Sequence, residues 1–393
     1  MYGVGCKGGL KVSPIKVSQA SVVRVGWLLA SLFFLLFSAA GWTVSYPDPL
    51  VLHTPAMHSK RVLHAAMLAV TRAGDRLVAV GERGFVLLSD DDGKSWRQAK
   101  SVPVSVSLTE VQFIDAKEGW AVGHLGVVLH STDGGESWSK QLDGTRAAAL
   151  ALKSAEAYAK LPTTPAAKAK AALDAAKLLV SDGPDKPFLD LYFLNAQTGF
   201  IVGAYNLIFR TDDGGKDWQP LLTQTENPEG LHLYGIRRVD DTYLIAGEQG
   251  TLLKSVDGGA SFQAIPSPYD GSFFGITTTH DDAIVIYGMA GHAYRSEDLG
   301  KSWTAVNTGT SAGLSAAYEA PDHTLYLAAQ SGEVAVSHDD GRSFKLLPLK
   351  QRRALAGIVA APDKALIAAT LHGVDRLAVR GHCPRLYYPR HRR

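Results

Sequence analysis

Six aspartates, Asp91, Asp133, Asp213, Asp257, Asp298 and Asp339, recur inside one short pattern, and their carboxylates are the first groups to test for chemistry. The pattern reads Ser89-Asp-Asp91-Asp-Gly93-Lys-Ser95-Trp96 and returns from Ser131 to Trp138, Thr211 to Trp218, Ser255 to Phe262, Ser296 to Trp303 and Ser337 to Phe344. A calcium ion takes about six to eight oxygens, more than one short turn supplies. The same carboxylate can instead accept N–H bonds within its own turn, and the glycine two places on takes positive φ without strain. The boxes therefore read as structural turns, each followed by an aromatic that packs between neighbouring sheets. Histidines do not pair at metal-ligand spacing, so neither a metal site nor a cofactor is expected.

A second chemistry to weigh is glycoside hydrolysis, which in sialidase-like enzymes takes an arginine cluster, a tyrosine nucleophile with a glutamate, and an acid. Arg83, Tyr205, Glu248 and Asp270 are candidate parts. The early Phe-Arg-Ile-Pro-like element is absent, and nothing in the sequence assembles those parts in the geometry hydrolysis requires. A secreted glycosidase stays as the alternative to a noncatalytic binding protein.

The boxes imply the elements that carry them. Successive starts differ by 42, 80, 44, 41 and 41 residues, the outlier being one period plus an insertion of 38. A period of about 40–45 residues is that of a four-stranded propeller blade. Around the second box, Leu108 to Asp115, Gly119 to Gly123, Gly126 to Ser131 and Ser137 to Leu142 read as strands A to D, with the box joining C to D. Residues 355–360, 365–369 and 374–379 give strands A to C of a seventh blade without a box. Residues 49–57 are expected to add its fourth strand and close the ring. The fold class is all-β: a seven-bladed β-propeller of four-stranded blades over residues 48–380.

The insertion, about residues 145–182, is rich in alanine and breaks at Leu161-Pro-Thr-Thr-Pro165, with Thr164 as N-cap and Pro165 at the first helical position, so it reads as a helical hairpin. It joins strand D of one blade to strand A of the next, and so emerges at the end opposite the boxes. Loops carry function on a rigid scaffold. That face collects Arg83, His124, Tyr205, Asn206, Glu248 and His292 from B–C turns. Loops between blades add His232, Tyr269, Asp270, Phe273 and the run Lys350, Arg352 and Arg353. Tyrosine, phenylalanine and arginine together have the composition of a partner-binding hot spot.

Formal charge is +2, but Lys7, Lys11, Lys16 and Arg24 in the leader and Arg380, Arg385, Arg390, Arg392 and Arg393 at the end meet no acid, which leaves −7 on the body between. Such a body should not seek nucleic acid. The basic residues of the leader precede an apolar stretch from Val25 to Val44, with Ser38 and Ala40 placed for cleavage after Ala40, so residues 1–44 read as a signal peptide or an uncleaved anchor and the body as exported, periplasmic or on the outer face of the inner membrane. Cys6 and Cys383 lie outside the blades, so the folded part holds no intramolecular disulfide. Residues 381–393 form a basic tail outside the blade pattern.

Six boxes at blade spacing, the phrase Gly119-Trp-Ala-Val-Gly-His-Leu-Gly126, and Gly230-Leu-His-Leu-Tyr234 behind an export signal resemble the photosystem II stability and assembly factor family of BNR/Asp-box propellers. The resemblance implies a noncatalytic, monomeric scaffold that holds an integral membrane protein or a membrane complex under assembly. In photosynthetic members a basic patch serves partner contact, and Lys350, Arg352 and Arg353 are the comparable run here. Photosynthesis itself is not implied.

Overall fold

The computed structural model describes residues 49–350 and 352–379. The expected leader and cleavage position, both cysteines and the tail from 380 onward lie outside the described residues.

Seven antiparallel meanders follow one another along the chain, each paired in sequence order. Their A strands are Met67–Ala73, Leu108–Phe113, Phe188–Phe193, Leu233–Val239, Phe273–Thr278, Leu314–Glu319 and Leu355–Ala360. Each A strand lies against the next, and that of blade 7 lies against that of blade 1, so the sheets close into a ring around a central channel. The B strands are buried along nearly their whole length, as in Gly119–Gly123 and Gly199–Gly203, because both sheet faces are covered by neighbouring blades.

Every box sits between strands C and D and is locked as its residue types require. In blade 1 Ser89 Oγ donates to Asp91 Oδ1 at 2.8 Å, Gly93 N donates back to Ser89 Oγ at 2.9 Å, and Ser95 gives Asp91 its amide (2.8 Å) and its hydroxyl (2.6 Å). The same bonds recur around Asp133, Asp257, Asp298 and Asp339. Blade 3, with Asp217 in place of the second serine, gives Asp213 the amide alone. The box glycine also faces the preceding blade: at Gly259 (φ +83) a Cβ would stand 2.3 Å from Phe200 Cζ.

Hydroxyl bonds from Ser95, Ser261 and Ser302 hold Asp91, Asp257 and Asp298 down at about 2. At Asp339 burial works the other way, but the bonds from Ser343 and Ser337 outweigh it and the carboxyl again lies at about 2. A carboxyl depressed in the folded state stabilises above its unfolded pKa, and that contribution disappears as pH falls through the folded value. Stability should therefore be flat near neutrality and fall steeply between about pH 4 and pH 2, read by tryptophan fluorescence against pH; an unchanged signal at about pH 2 contradicts the role given to the boxes.

Two expectations fail. Residues 49–57 do not complete blade 7, which has three strands, Leu355–Ala360, Leu366–Thr370 and Gly373–Arg376. Pro49 and Pro55 break the alternation and remove ladder donors. The segment instead forms a 3-10 turn at Leu50–Leu52 and runs beside the connection from blade 1 to blade 2, where Ala56 N donates to Val102 O at 3.0 Å and Ser105 N to Val51 O at 2.9 Å. A second 3-10 turn, Lys60–His64, lies against the last strand of blade 7. The ring is closed by face packing, with Arg376 Nη1 donating to Asp92 O across the joint. Thr164 is also not an N-cap: its hydroxyl donates to Tyr158 O at 2.8 Å within the turn, and Pro165 occupies the cap position.

The insertion is a helical hairpin, α1 (Gly144–Ala159) and α2 (Ala166–Asp182). Asp143 caps α1 by accepting from Arg146 N at 3.1 Å and pairs with Lys140 at 2.8 Å. Gly126 of the blade 2 B–C turn meets Gly144 so closely that a Cβ on Gly126 would lie 2.6 Å from Gly144 Cα, which fixes the hairpin on the B–C face. Ala147, Ala148, Ala151 and Leu179 pack with Leu142, Phe188 and Leu207 of blades 2 and 3. Among the described residues no helix is long and apolar enough to cross a membrane.

Candidate functional site: a groove and an aromatic cluster on the B–C face

The hairpin does not lie flat. Between it and the loops of blades 3 and 4 runs a groove of about 990 Å³. Ala155, Tyr158, Ala172 and Ala175 form its helical wall, and Tyr205, Leu222, Pro228 and Phe262 the opposite one.

Tyr205 and Asn206 stand where the propeller's turn geometry is most demanding. The second residue of the B–C turn is left-handed in blades 1 to 5, at Arg83, Leu125, Tyr205, Gln249 and Ala290, with φ between 50° and 55°. The third is glycine at 84, 126, 250 and 291, but Asn206 takes it in blade 3 at φ 60°. A non-glycine residue in that region is tolerated when its side chain bonds locally. Here Asn206 Oδ1 accepts from Asn227 Nδ2 at 3.1 Å, and Asn227 binds both the amide and the carbonyl of Leu231, at 3.0 and 2.8 Å, so the far wall of the groove is tied to the blade.

Tyr205, 54% exposed, opens the groove toward the ring axis. Lys186 Nζ lies 4.7 Å from its ring centroid, and the carboxylates of Asp185 and Asp182 outweigh burial to hold that amine above its usual value. The His232 ring is 4.7 Å from Tyr205 and 6.1 Å from Tyr234, which meets Phe274 edge-on at 6.0 Å. Glu248 Oε2 accepts the His232 main-chain amide at 3.1 Å, which ties this glutamate to the start of its own blade, and lies 2.9 Å from the ring Nδ1 without forming a hydrogen bond to it. Burial, and secondarily Glu248, push the Tyr234 hydroxyl above its ordinary pKa.

The remaining sequence candidates divide. Tyr269, His292 and Tyr294 form a separate ladder in blade 5, with Tyr269 and His292 4.4 Å apart and Asp270 exposed beside it. Phe273 is corrected to a core residue: it is 0% exposed and packs between blades 4 and 5, where the first position of every A strand points inward. Asn206, 9% exposed, acts through the loop it holds. Arg83 and His124 are exposed on the turns of blades 1 and 2. Lys350, Arg352 and Arg353 share the face but sit between blades 6 and 7, across the ring from the groove; Arg352 pairs with Glu333 at 2.7 Å and Arg353 with Asp375 at 3.3 Å, so much of that charge is spent inside the fold. Arg83 of blade 1 is likewise remote in the ring from Glu248 and Asp270 of blades 4 and 5, so those parts are not gathered into one glycosidase centre.

Sequence reasoning missed the groove walls, Ala172, Ala175, Leu222, Pro228 and Asn227. The one available signal was the missing glycine at 206, which marks a turn given another task.

The family model described as photosynthesis system II assembly factor YCF48 matches residues 69–167 and 171–317. Over 74 residues the chain is 35% identical to the photosystem II assembly lipoprotein Ycf48 of Synechococcus sp. (strain CC9902), a match spanning 19% of this chain and 22% of that protein. Its structure is similar to that of YCF48 bound to D1 peptide, with TM-score 0.55 and 18% identity over 83% of this chain and 98% of the other. It is also similar to YCF48 from Cyanidioschyzon merolae, with TM-score 0.56 and 16% identity over 82% and 97%. At those identities the structural likeness is one of fold.

Proposed function

The chain belongs to the photosynthesis system II assembly factor YCF48 family, and from that footing we propose that it is an exported, noncatalytic, monomeric propeller that docks a segment of an integral membrane protein, or of a membrane complex under assembly, on its B–C face. The observation that carries this reading is the groove of about 990 Å³ under the hairpin, which opens at Tyr205 onto His232 and Tyr234. Its volume and mixed lining suit a stretch of polypeptide, with rings as anchors and the Lys186 cluster as a polar rim. That a similar propeller is solved with a D1 peptide bound supports a peptide as the class of partner. The carboxylate of Glu248 is engaged by the His232 main-chain amide, a structural bond that suits recognition better than proton transfer.

Crosslinking in intact membranes followed by purification of the chain should recover one defined membrane polypeptide. Reversal of Lys350, Arg352 and Arg353 to acids, measured per folded chain because it also breaks the pairs to Glu333 and Asp375, is expected to weaken recovery only modestly, a rim-charge effect that grows at low salt; unchanged recovery removes that patch from the contact. Recovery of no membrane polypeptide, or turnover of an arylglycoside by the purified chain, contradicts the proposal itself.

A further inference from the structure

The channel on the ring axis breaks the repeat in a way that docking on the outer face does not use. Each A strand bulges after its first residue. The third position of the strand, where the strands crowd the axis, is Ala69, Gly235, Gly275, Ala316 or Gly357 in five blades. Space is the reason: a Cβ on Gly357 would lie 3.1 Å from Ala69 Cα, and one on Gly235 3.0 Å from Ile276 Cγ2. Blades 2 and 3 place Glu110 and Asp190 there instead, two neighbouring carboxylates on the wall of a 340 Å³ channel.

Their situations differ. Asp190, 4% exposed, accepts from Ile236 N at 2.8 Å and from Arg237 Nη1 at 2.7 Å, so its charge is cancelled and its lone pairs are used. Glu110 accepts only the amide of Val111, at 2.9 Å, and no cation among the described residues lies within ion-pair distance of it. Its second oxygen is left for the channel. Asp190, Arg237 and Tyr287 act on it from blades 3, 4 and 5, and Arg72, Tyr234 and Tyr318 are the other charged and titratable groups that line the channel. Burial first, and the Asp190 carboxylate second, lift the Glu110 carboxyl to about 7.

We infer that the central channel is a binding site for one organic cation, an alkylammonium or guanidinium head group, with Glu110 as its counter-ion. An anion would find Arg237 already committed to Asp190, and Arg72, the other arginine on the channel wall, held by Asp75 and the Gly74 carbonyl. A divalent metal would find one free carboxylate beside a guanidinium, well short of the oxygens it takes. A monovalent organic cation matches the carboxylate of Glu110, which has no ion-pair partner among the described residues, and Tyr234, Phe274, Tyr287 and Tyr318 on the same wall add the aromatic surroundings that suit such groups. Tyr234 and Phe274 stand at the second position of their strands, at the B–C end, so that end is the entrance. The head group reaches the site either as a free amine or as the lysine or arginine side chain of a polypeptide at that mouth.

The test is an NMR titration of the full chain with n-butylammonium, with ethylguanidinium, and with an acetylated pentapeptide carrying one lysine. Saturable binding of the free cations in the millimolar range is expected, and Glu110→Gln should weaken it by about tenfold or more. Because a cation must displace the Glu110 proton, the wild-type chain should bind several times more tightly at about pH 8 than at about pH 5.5, which needs no variant and so survives a Glu110→Gln chain that fails to fold. Competition by the pentapeptide assigns the site to a polypeptide side chain, and its failure beside binding of the free cations assigns it to a free amine; both support the inference. No saturable binding of any probe, equal binding by a folded Glu110→Gln chain, or pH-independent binding overturns it.

Discussion

Trp120→Ala is expected to cost about 3–5 kcal/mol of folding stability, the range for deleting a fully buried large aromatic, and to be the most damaging single substitution in blade 2. Trp120 is 0% exposed, stacks on Phe193 of blade 3 at 3.7 Å with planes 8° apart, and stacks on His130 of its own blade at 4.7 Å. The joint is reinforced by Gln112, whose side-chain amide donates to Phe193 O at 3.2 Å and accepts from Phe193 N at 2.7 Å. An alanine would leave a cavity that the two sheets cannot readily close, since both are pinned by that amide pair. The hairpin is mounted on the same two blades through Ala147, Ala148 and Leu179, so loosening the joint should also lower partner recovery. Urea unfolding followed by tryptophan fluorescence reads the first effect; a midpoint close to that of the wild-type chain would mean the blade 2–blade 3 contact is not a principal stabiliser.

Tyr205→Ala and Ala175→Trp should each reduce recovery of the membrane partner by about tenfold or more while leaving the melting temperature within a few degrees, because hot-spot truncation removes about 2 kcal/mol or more and a bulky ring in the groove excludes the ligand. Both positions are exposed, so neither substitution opens the core. Tyr205 is held at φ 54° by the turn it belongs to, and its ring is fixed between Lys186 and His232, so it is an anchor that pays little entropy on binding. Quantitative recovery after crosslinking, normalised to the amount of folded chain, measures the effect. Retained recovery by both variants would take the groove out of the contact.

The ring was legible because its signal is local. Each box fixes its own turn through a carboxylate, a hydroxyl and a glycine within five residues, so Asp91 and its counterparts could be read without knowing what surrounds them. The connection order then placed the hairpin and the B–C turns on one face. What failed depended on distant partners. Residues 49–57 have strand-like apolar content, but their prolines disfavour a ladder and their backbone bonds go to the connection between blades 1 and 2. Thr164 has the right type for a cap, but its hydroxyl found the nearer carbonyl of Tyr158. Phe273 sits in a loop-like sequence beside Tyr269, yet belongs to the inward position of its strand. The groove arises only when the hairpin folds back, and the Glu110–Asp190 pair becomes visible only after the seven A strands are aligned on their bulges.

A photoreactive residue placed at Ala172 in the groove, and in a separate chain at Lys301 on the box face, tests the docking account most directly when both are irradiated in intact membranes. The account predicts that the chain with the probe at 172 is joined to one membrane polypeptide and the chain with the probe at 301 is not. Equal yields from both faces, or a polypeptide joined only at 301, would contradict it.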